Sequence, residues 1–141
     1  MDLKHTEFLR GYSPFVKHLG LDVLKLENGT SQLSLKIKDY LKNSHEAVHG
    51  GVIYSLADIA MGVAVYSTLK KEQTSATIEI KINYLKPAMA AVLICDARIV
   101  QKGNNIAVLE AEVRADDILI AKAMGTFSIF KSKDEKAIET L

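Results

Sequence analysis

The stretch Gly50-Gly51-Val52-Ile53-Tyr54-Ser55-Leu56-Ala57-Asp58-Ile59-Ala60-Met61-Gly62-Val63-Ala64-Val65-Tyr66-Ser67-Thr68-Leu69 decides the fold. Ile53, Leu56, Ala57, Ala60, Met61 and Ala64 keep a 3.6-residue stripe, while Val52, Ile59, Val63 and Val65 fill the other faces. A helix that is apolar all round must be covered all round. It would be about 30 Å long, the diameter of a small domain, so the rest of the chain is arranged around it. Its apolar run is interrupted by Ser55 and Asp58 and falls short of the roughly 20 residues of a membrane span. It reads as a core element, and no membrane association is expected.

Downstream the period changes from 3.6 to 2. Ile78, Ile80, Ile82 and Tyr84 alternate with Thr77, Glu79, Lys81 and Asn83, the pattern of a strand with one dry face and one wet face. Pro87 closes it. Three more β-rich runs follow over 92–100, 106–114 and 118–130, separated by Lys102-Gly103-Asn104-Asn105 and by Asp116-Asp117. Such short links predict antiparallel neighbours. Upstream, Leu21, Val23, Leu33, Leu35 and Ile37 flank the turn signal Asn28-Gly29, which predicts a hairpin. Phe8, Tyr12, Phe15 and Leu19 recur at helical spacing and predict a short helix interrupted near Pro14.

The expected fold class is therefore α+β: a long central helix wrapped by a curved antiparallel sheet of five to six strands. The 141 residues suit a single domain over 1–141, with an N-terminal helical segment over 1–19 and a polar tail over 131–141. One such sheet covers only one side of the helix, so a second copy of the chain is expected to cover the rest.

Lys and Arg number 18 against 17 Asp and Glu, so the basic footprint of a nucleic-acid binder is missing and no nucleic-acid partner is expected. The one cysteine, Cys95, lies in an apolar run and can form no internal disulfide. That, with a first stretch unlike a secretory signal, points to the cytoplasm. His5, His18 and His45 form no metal-ligand spacing with Cys95, and there is no phosphate-cradling glycine loop, so neither metal nor cofactor is expected.

Chemistry concentrates around the helix start. His49-Gly50-Gly51 leads directly into it, and the first N–H groups of a helix are unpaired and carry the positive end of its dipole. Glycine there lets a carbonyl approach the backbone, a ready site for an oxyanion. Asp58 is the only charged side chain between His49 and Lys70. A buried lone carboxylate costs several kcal/mol unless it is paired or protonated, which suggests either a use or a local satisfying partner such as Ser55. Asn43 and His49 are donors that also suit a turn and a helix cap, and Thr77 offers a hydroxyl. Gly50 and Asp58 are eight residues apart, about 12 Å along one helix, so they cannot touch the same carbonyl carbon within one chain. If they cooperate, two helices must lie antiparallel, with two equivalent sites per dimer.

Asn43, His49-Gly50-Gly51, Leu56-Ala57-Asp58, Thr77, Tyr84-Leu85-Lys86-Pro87-Ala88 and the closing Ala121-Lys122-Ala123-Met124-Gly125-Thr126-Phe127 together resemble the hotdog-fold acyl-CoA thioesterases of the phenylacetate-degradation type, within the 4-hydroxybenzoyl-CoA thioesterase superfamily. The resemblance spans nearly the whole chain. It implies a hotdog fold, an acyl-CoA substrate, and a homodimer often paired into a homotetramer with its sites at the dimer interface. It also implies that Asp58 is the base or nucleophile, assisted by Thr77, and that Asn43, His49 and Gly50 of the partner chain hold the thioester oxygen. Gly51 is expected to line the substrate site, and Lys81, Lys86 and Lys102 to be available to the CoA phosphates. Two positions depart from the family pattern: Glu46 stands where glycine is common, and Asp116-Asp117 lacks the usual turn glycine, which predicts a looser hairpin. The rival readings are an acyl-CoA-binding module without turnover, a hotdog enoyl-CoA hydratase, and a purely structural oligomer.

Overall fold

A computed structural model describes residues 3–133. Helices α1 (Leu3–Tyr12) and α2 (Pro14–Leu19) come first, then strands β1 (Asp22–Glu27) and β2 (Thr30–Lys36), helix α3 (Gly50–Tyr66), and strands β3 (Gln73–Tyr84), β4 (Val92–Lys102), β5 (Ile106–Ala115) and β6 (Ile118–Lys131). The six strands form one antiparallel sheet in the order β1-β2-β4-β5-β6-β3, and α3 packs against it. This is the hotdog architecture.

The sheet presents Leu33, Leu35, Leu93, Cys95, Leu109, Val113 and Phe127 to the core, interspersed with Ala97, Ala107, Ala111, Ala121 and Ala123. The alanines let the helix sit close. Gly125 carries the closest approach: a Cβ there would lie 3.0 Å from Met61 Cε and 3.2 Å from Phe127 Cε2. The hydroxyls of Ser31 and Ser67 help tie the helix to the first hairpin. Ser31 Oγ donates to the Ala60 carbonyl at 2.6 Å, and Ser67 Oγ accepts from the Gly29 N–H at 2.8 Å, fixing the first hairpin's turn to the end of α3.

Several boundaries differ from the sequence expectation for definite reasons. The expected N-terminal helix is split, because Ser13 takes an extended conformation and caps α2 by accepting from the Val16 N–H, with Pro14 in the first turn. Helix α3 stops at Tyr66 rather than Leu69, where Ser67 Oγ and Thr68 Oγ1 turn back to the carbonyls of Ala64 and Val65. Strand β3 does not pair with β4; it crosses to the far edge beside β6, while β4 pairs with β2. At that edge its expected dry face is only partly covered: Ile80 and Ile82 pack against the core, while Ile78 and Tyr84 are 55% and 51% exposed. Ile78 also sits at a register shift between Thr77 and Glu79. The Asp116-Asp117 hairpin is tight, not loose: Ala115 pairs with Ile118, and both aspartates adopt the left-handed conformation at φ 49° and 63°. Lys131 belongs to β6, and residues 134–141 of the expected tail lie outside the described residues.

Candidate active site

Along α3 the residues Gly51, Ser55, Asp58, Gly62 and Tyr66 recur at spacings of three and four and are only partly covered or exposed, while Leu56, Ala57, Ala60, Met61 and Ala64 are fully buried. One strip of the helix is therefore left uncovered by its own sheet. Asp58 lies on it. Asp58 is partly exposed rather than buried as its apolar surroundings in sequence suggested, and Thr77 Oγ1 donates to its Oδ1 at 2.7 Å. Ser55 is not its partner, because the Ser55 hydroxyl donates to the Gly51 carbonyl at 2.8 Å. The two residues nineteen positions apart are brought together because β3 runs back beside the helix it follows.

At the helix start, His49 is the N-cap, and its Nδ1 accepts the Gly51 N–H at 2.9 Å. The proton of the neutral ring therefore sits on Nε2, which points its donor away from the cap. A Cβ on Gly51 would come 3.1 Å from His49 Nδ1, so this glycine makes room for the cap. The Gly50 N–H has no acceptor among the described residues. It stands at the positive end of a 17-residue helix.

The loop before the cap is organised by Asn43. Its Oδ1 accepts from the N–H groups of His45 and Ala47 at 2.9 and 3.3 Å, and its own N–H donates to the Ala47 carbonyl at 2.8 Å. Glu46 closes this loop at φ 65°, a conformation in which glycine carries no steric cost. The chain is then pinned by His49 N–H to the Leu41 carbonyl and Val48 N–H to the Ala88 carbonyl, each at 2.9 Å.

Tyr84 belongs to this site, although its period-2 position suggested only a dry-face strand residue. Its hydroxyl donates to the Gly50 carbonyl at 3.0 Å, and its ring lies 3.4 Å from where a Gly50 Cβ would be. Burial, reinforced by Tyr54 nearby, raises its pKa above the ordinary 10.0. The two residues are 34 positions apart, and no local signal announces the contact. Gly50, Asn43, Ile53, Tyr84 and Lys86 line a cleft of about 280 Å³. Lys81 is at the exposed edge, with its Nζ on Asn83 Oδ1 at 3.0 Å, and Lys102 Nζ donates to the Thr68 carbonyl at 3.3 Å near the other end of α3. No group of three or more metal-ligating side chains occurs among the described residues. No helix among them is long and apolar enough to cross a membrane.

Within one chain the structure thus makes two separate clusters, Asp58 with Thr77 and Gly50 with His49, Asn43 and Tyr84, about 12 Å apart along the helix axis. Their chemistry is a carboxylate held by a hydroxyl, and an N–H at a helix start facing a cleft. The family profile of the thioesterase superfamily matches residues 45–122. The medium/long-chain acyl-CoA thioesterase YigI of Escherichia coli K12 is 28% identical over 134 residues, with 84% of this chain and 86% of that protein covered. Among solved structures, the conserved protein PA5202 of Pseudomonas aeruginosa is 36% identical with a TM-score of 0.80, covering 84% of this chain and 94% of that one. The Escherichia coli PaaI protein from the phenylacetic acid degradation operon shares the fold, with a TM-score of 0.83 at 21% identity over 92% of this chain and 93% of that one. With its helix, six-stranded sheet and matched core, the chain belongs to the hotdog-fold thioesterase superfamily.

Proposed function

We propose that the protein hydrolyses acyl-CoA thioesters to a free acid and CoA, as a homodimer in which each active site takes Asp58 from one copy and the α3 N-terminus from the other. The observation that carries this reading is the Asp58 carboxylate, held by Thr77, on a helix strip that one chain leaves uncovered. An antiparallel second copy of α3 would cover that strip from Gly51 to Asp58 and bring its Gly50 N–H to the carboxylate, leaving Gly62 and Tyr66 beyond the partner helix. The exposed edge of β3 gives the second copy a place to pair. YigI, whose name describes a medium/long-chain acyl-CoA thioesterase, supports the substrate class.

In this reading the Gly50 N–H receives the developing oxyanion of the thioester, and the His49 Nε2–H and the Asn43 amide are the neighbouring donors. Thr77 occupies one Asp58 oxygen, leaving the other free to deprotonate a water or to attack the carbonyl carbon. Lys86, at the cleft beside Gly50, suits the CoA phosphates better than Lys81, whose ammonium is held by Asn83.

Asp58→Asn is the direct test. Free-thiol release from a panel of acyl-CoAs should fall by about a hundredfold or more, comparable to loss of a strong transition-state contact. Wild-type turnover in this variant would overturn the assignment. Single turnovers in heavy-oxygen water probe the two roles of the carboxylate: direct attack expels CoA and leaves a mixed anhydride, whose hydrolysis at the aspartyl carbonyl puts solvent oxygen into Asp58, whereas a base-activated water puts it into the product acid.

A further inference from the structure

Gly62 is a glycine that the fold does not need. It lies in the interior of α3, its φ is not positive, and a Cβ there would meet only Phe127 Cε1, at an ordinary 3.7 Å. Gly125 is the contrast, since its Cβ would press on Met61 at 3.0 Å. A glycine in a helix interior costs roughly 1 kcal/mol against alanine, and at position 62 neither conformation nor packing accounts for it. What the missing side chain does leave open is a groove of about 220 Å³ between the N-terminal helices, α3 and β3, lined by Leu9, Val16, Ile59, Gly62, Tyr66 and Ser75 among others.

The groove opens next to the candidate catalytic carboxylate, although neither Asp58 nor Thr77 lines it. Gly62 is one turn beyond Asp58 on the same strip, Ile59 is its immediate neighbour, and Ser75 lies two residues from Thr77 on β3 and so shares its face. From Ile59 to Tyr66 it extends about 10 Å along the helix axis. Leu9, Val16, Ile59, Val63 and Leu69 make its lining mainly aliphatic, with the hydroxyls of Ser13, Thr74 and Ser75 among them. An elongated aliphatic groove beside a carboxylate matches a flexible apolar tail attached to a polar reacting group.

Resting on the thioesterase reading, we propose that this groove receives the acyl tail of the substrate, that the tail is a linear aliphatic chain, and that Gly62 sets the length admitted. A tail passing Asp58 runs over the bare backbone at Gly62 toward Tyr66 and Leu69. Any side chain at 62 enters the path. Each methylene excluded from such a groove lowers transition-state binding by about fourfold, so closing it discriminates against long chains progressively.

The test compares Gly62→Leu and Gly62→Ala with the wild type on butyryl-, decanoyl- and benzoyl-CoA, together with calorimetric binding of decanoate. The ratio of kcat/KM for decanoyl-CoA to that for butyryl-CoA should fall by about tenfold or more in Gly62→Leu and by less in Gly62→Ala. Decanoate binding should weaken in the same order. An unchanged ratio, equal losses for all three thioesters, or a loss confined to benzoyl-CoA would each overturn the proposal. Should the wild type cleave no thioester, the hydrolase reading fails, and the groove is then judged on decanoate alone: binding lost in Gly62→Leu sustains it, and binding absent or unaltered overturns it.

Discussion

Thr77 Oγ1 donates a 2.7 Å hydrogen bond to Asp58 Oδ1, linking the edge strand β3 to the open strip of α3. The contact holds the carboxylate in one rotamer and leaves its second oxygen uncommitted. A hydrogen bond to a charged group is worth about 1.5–3 kcal/mol, so Thr77→Val should lower kcat by roughly tenfold to a hundredfold. Thr77→Ser keeps the donor and should retain most of the turnover. Steady-state thiol release on one acyl-CoA measures both, and equal activities in the two variants would remove Thr77 from the mechanism.

Tyr84 acts one step back from the chemistry, through the Gly50 carbonyl on which its hydroxyl rests at 3.0 Å. It is a positioning residue for the Gly50 N–H on the adjoining peptide. Tyr84→Phe keeps the ring and removes one neutral hydrogen bond, and should reduce kcat by about twofold to tenfold with KM little changed. Because burial raises the Tyr84 pKa above 10.0, the hydroxyl keeps its proton through the neutral range. The defect of the variant should therefore be the same from pH 6 to 9, and a defect that appears only at one end of that range would point to another group.

Among the described residues, three that are not glycine adopt positive φ: Glu46 at 65°, Asp116 at 49° and Asp117 at 63°. Glu46 has the most to gain from glycine, since aspartate tolerates the left-handed region better than a longer side chain does. Glu46→Gly should raise stability by about 0.5–1 kcal/mol, partly offset by the freer unfolded chain, and Asp117→Gly by less. Chemical denaturation of the two variants checks the order. A stability loss on Glu46→Gly would show that its side chain contributes more than its backbone costs.

These positions show how far the sequence carried. The helix, the six strands and the antiparallel arrangement were legible because each rests on local periodicity, and Asn28-Gly29 set the first hairpin. The candidate site residues stood out as types, because a lone charge in an apolar run and glycines ahead of a helix are local anomalies. What was hidden depends on contacts across the chain. Strand β3 looked half-buried because its period is 2, but its place at the edge is decided by β6 taking up its inner side. Tyr84 and Gly50 meet only because β3 ends at the start of α3. Gly62 carried no signal, since an absent side chain acquires meaning only once its surroundings are known.

On the outer face, Glu112 accepts from Arg114 at 2.6 Å and from Lys122 at 3.4 Å. Partial burial would raise its pKa, but the two hydrogen bonds and the two positive charges outweigh that and hold it below the ordinary 4.5. A carboxylate with a lowered folded-state pKa contributes stability that is fully present above its unfolded value and is lost as pH falls through the folded one. The wild type should thus lose an increment of stability below about pH 4.5 that Glu112→Gln does not lose. The increment is small, because the group is largely open to solvent. Thermal melts of both proteins at pH 3, 4 and 7 measure it, and parallel pH profiles would dismiss the contribution.

The proposed division of the active site between two chains makes a prediction that no single-chain arrangement shares. Asp58→Asn removes the carboxylate half-site. Gly50→Val damages the other half, since its side chain would start 3.4 Å from the Tyr84 ring. Each variant alone should be nearly inactive. In a symmetric dimer, residue contributions cross in both directions, so a heterodimer of the two carries one doubly damaged site and one site with Asp58 and Gly50 both intact. Random exchange of subunits makes half the dimers heterodimers, and the mixture should recover about a quarter of wild-type activity. If both groups of each site came from one chain, the mixture would stay as inactive as its components. Co-refolding or co-expressing the two variants and measuring thiol release decides between these arrangements.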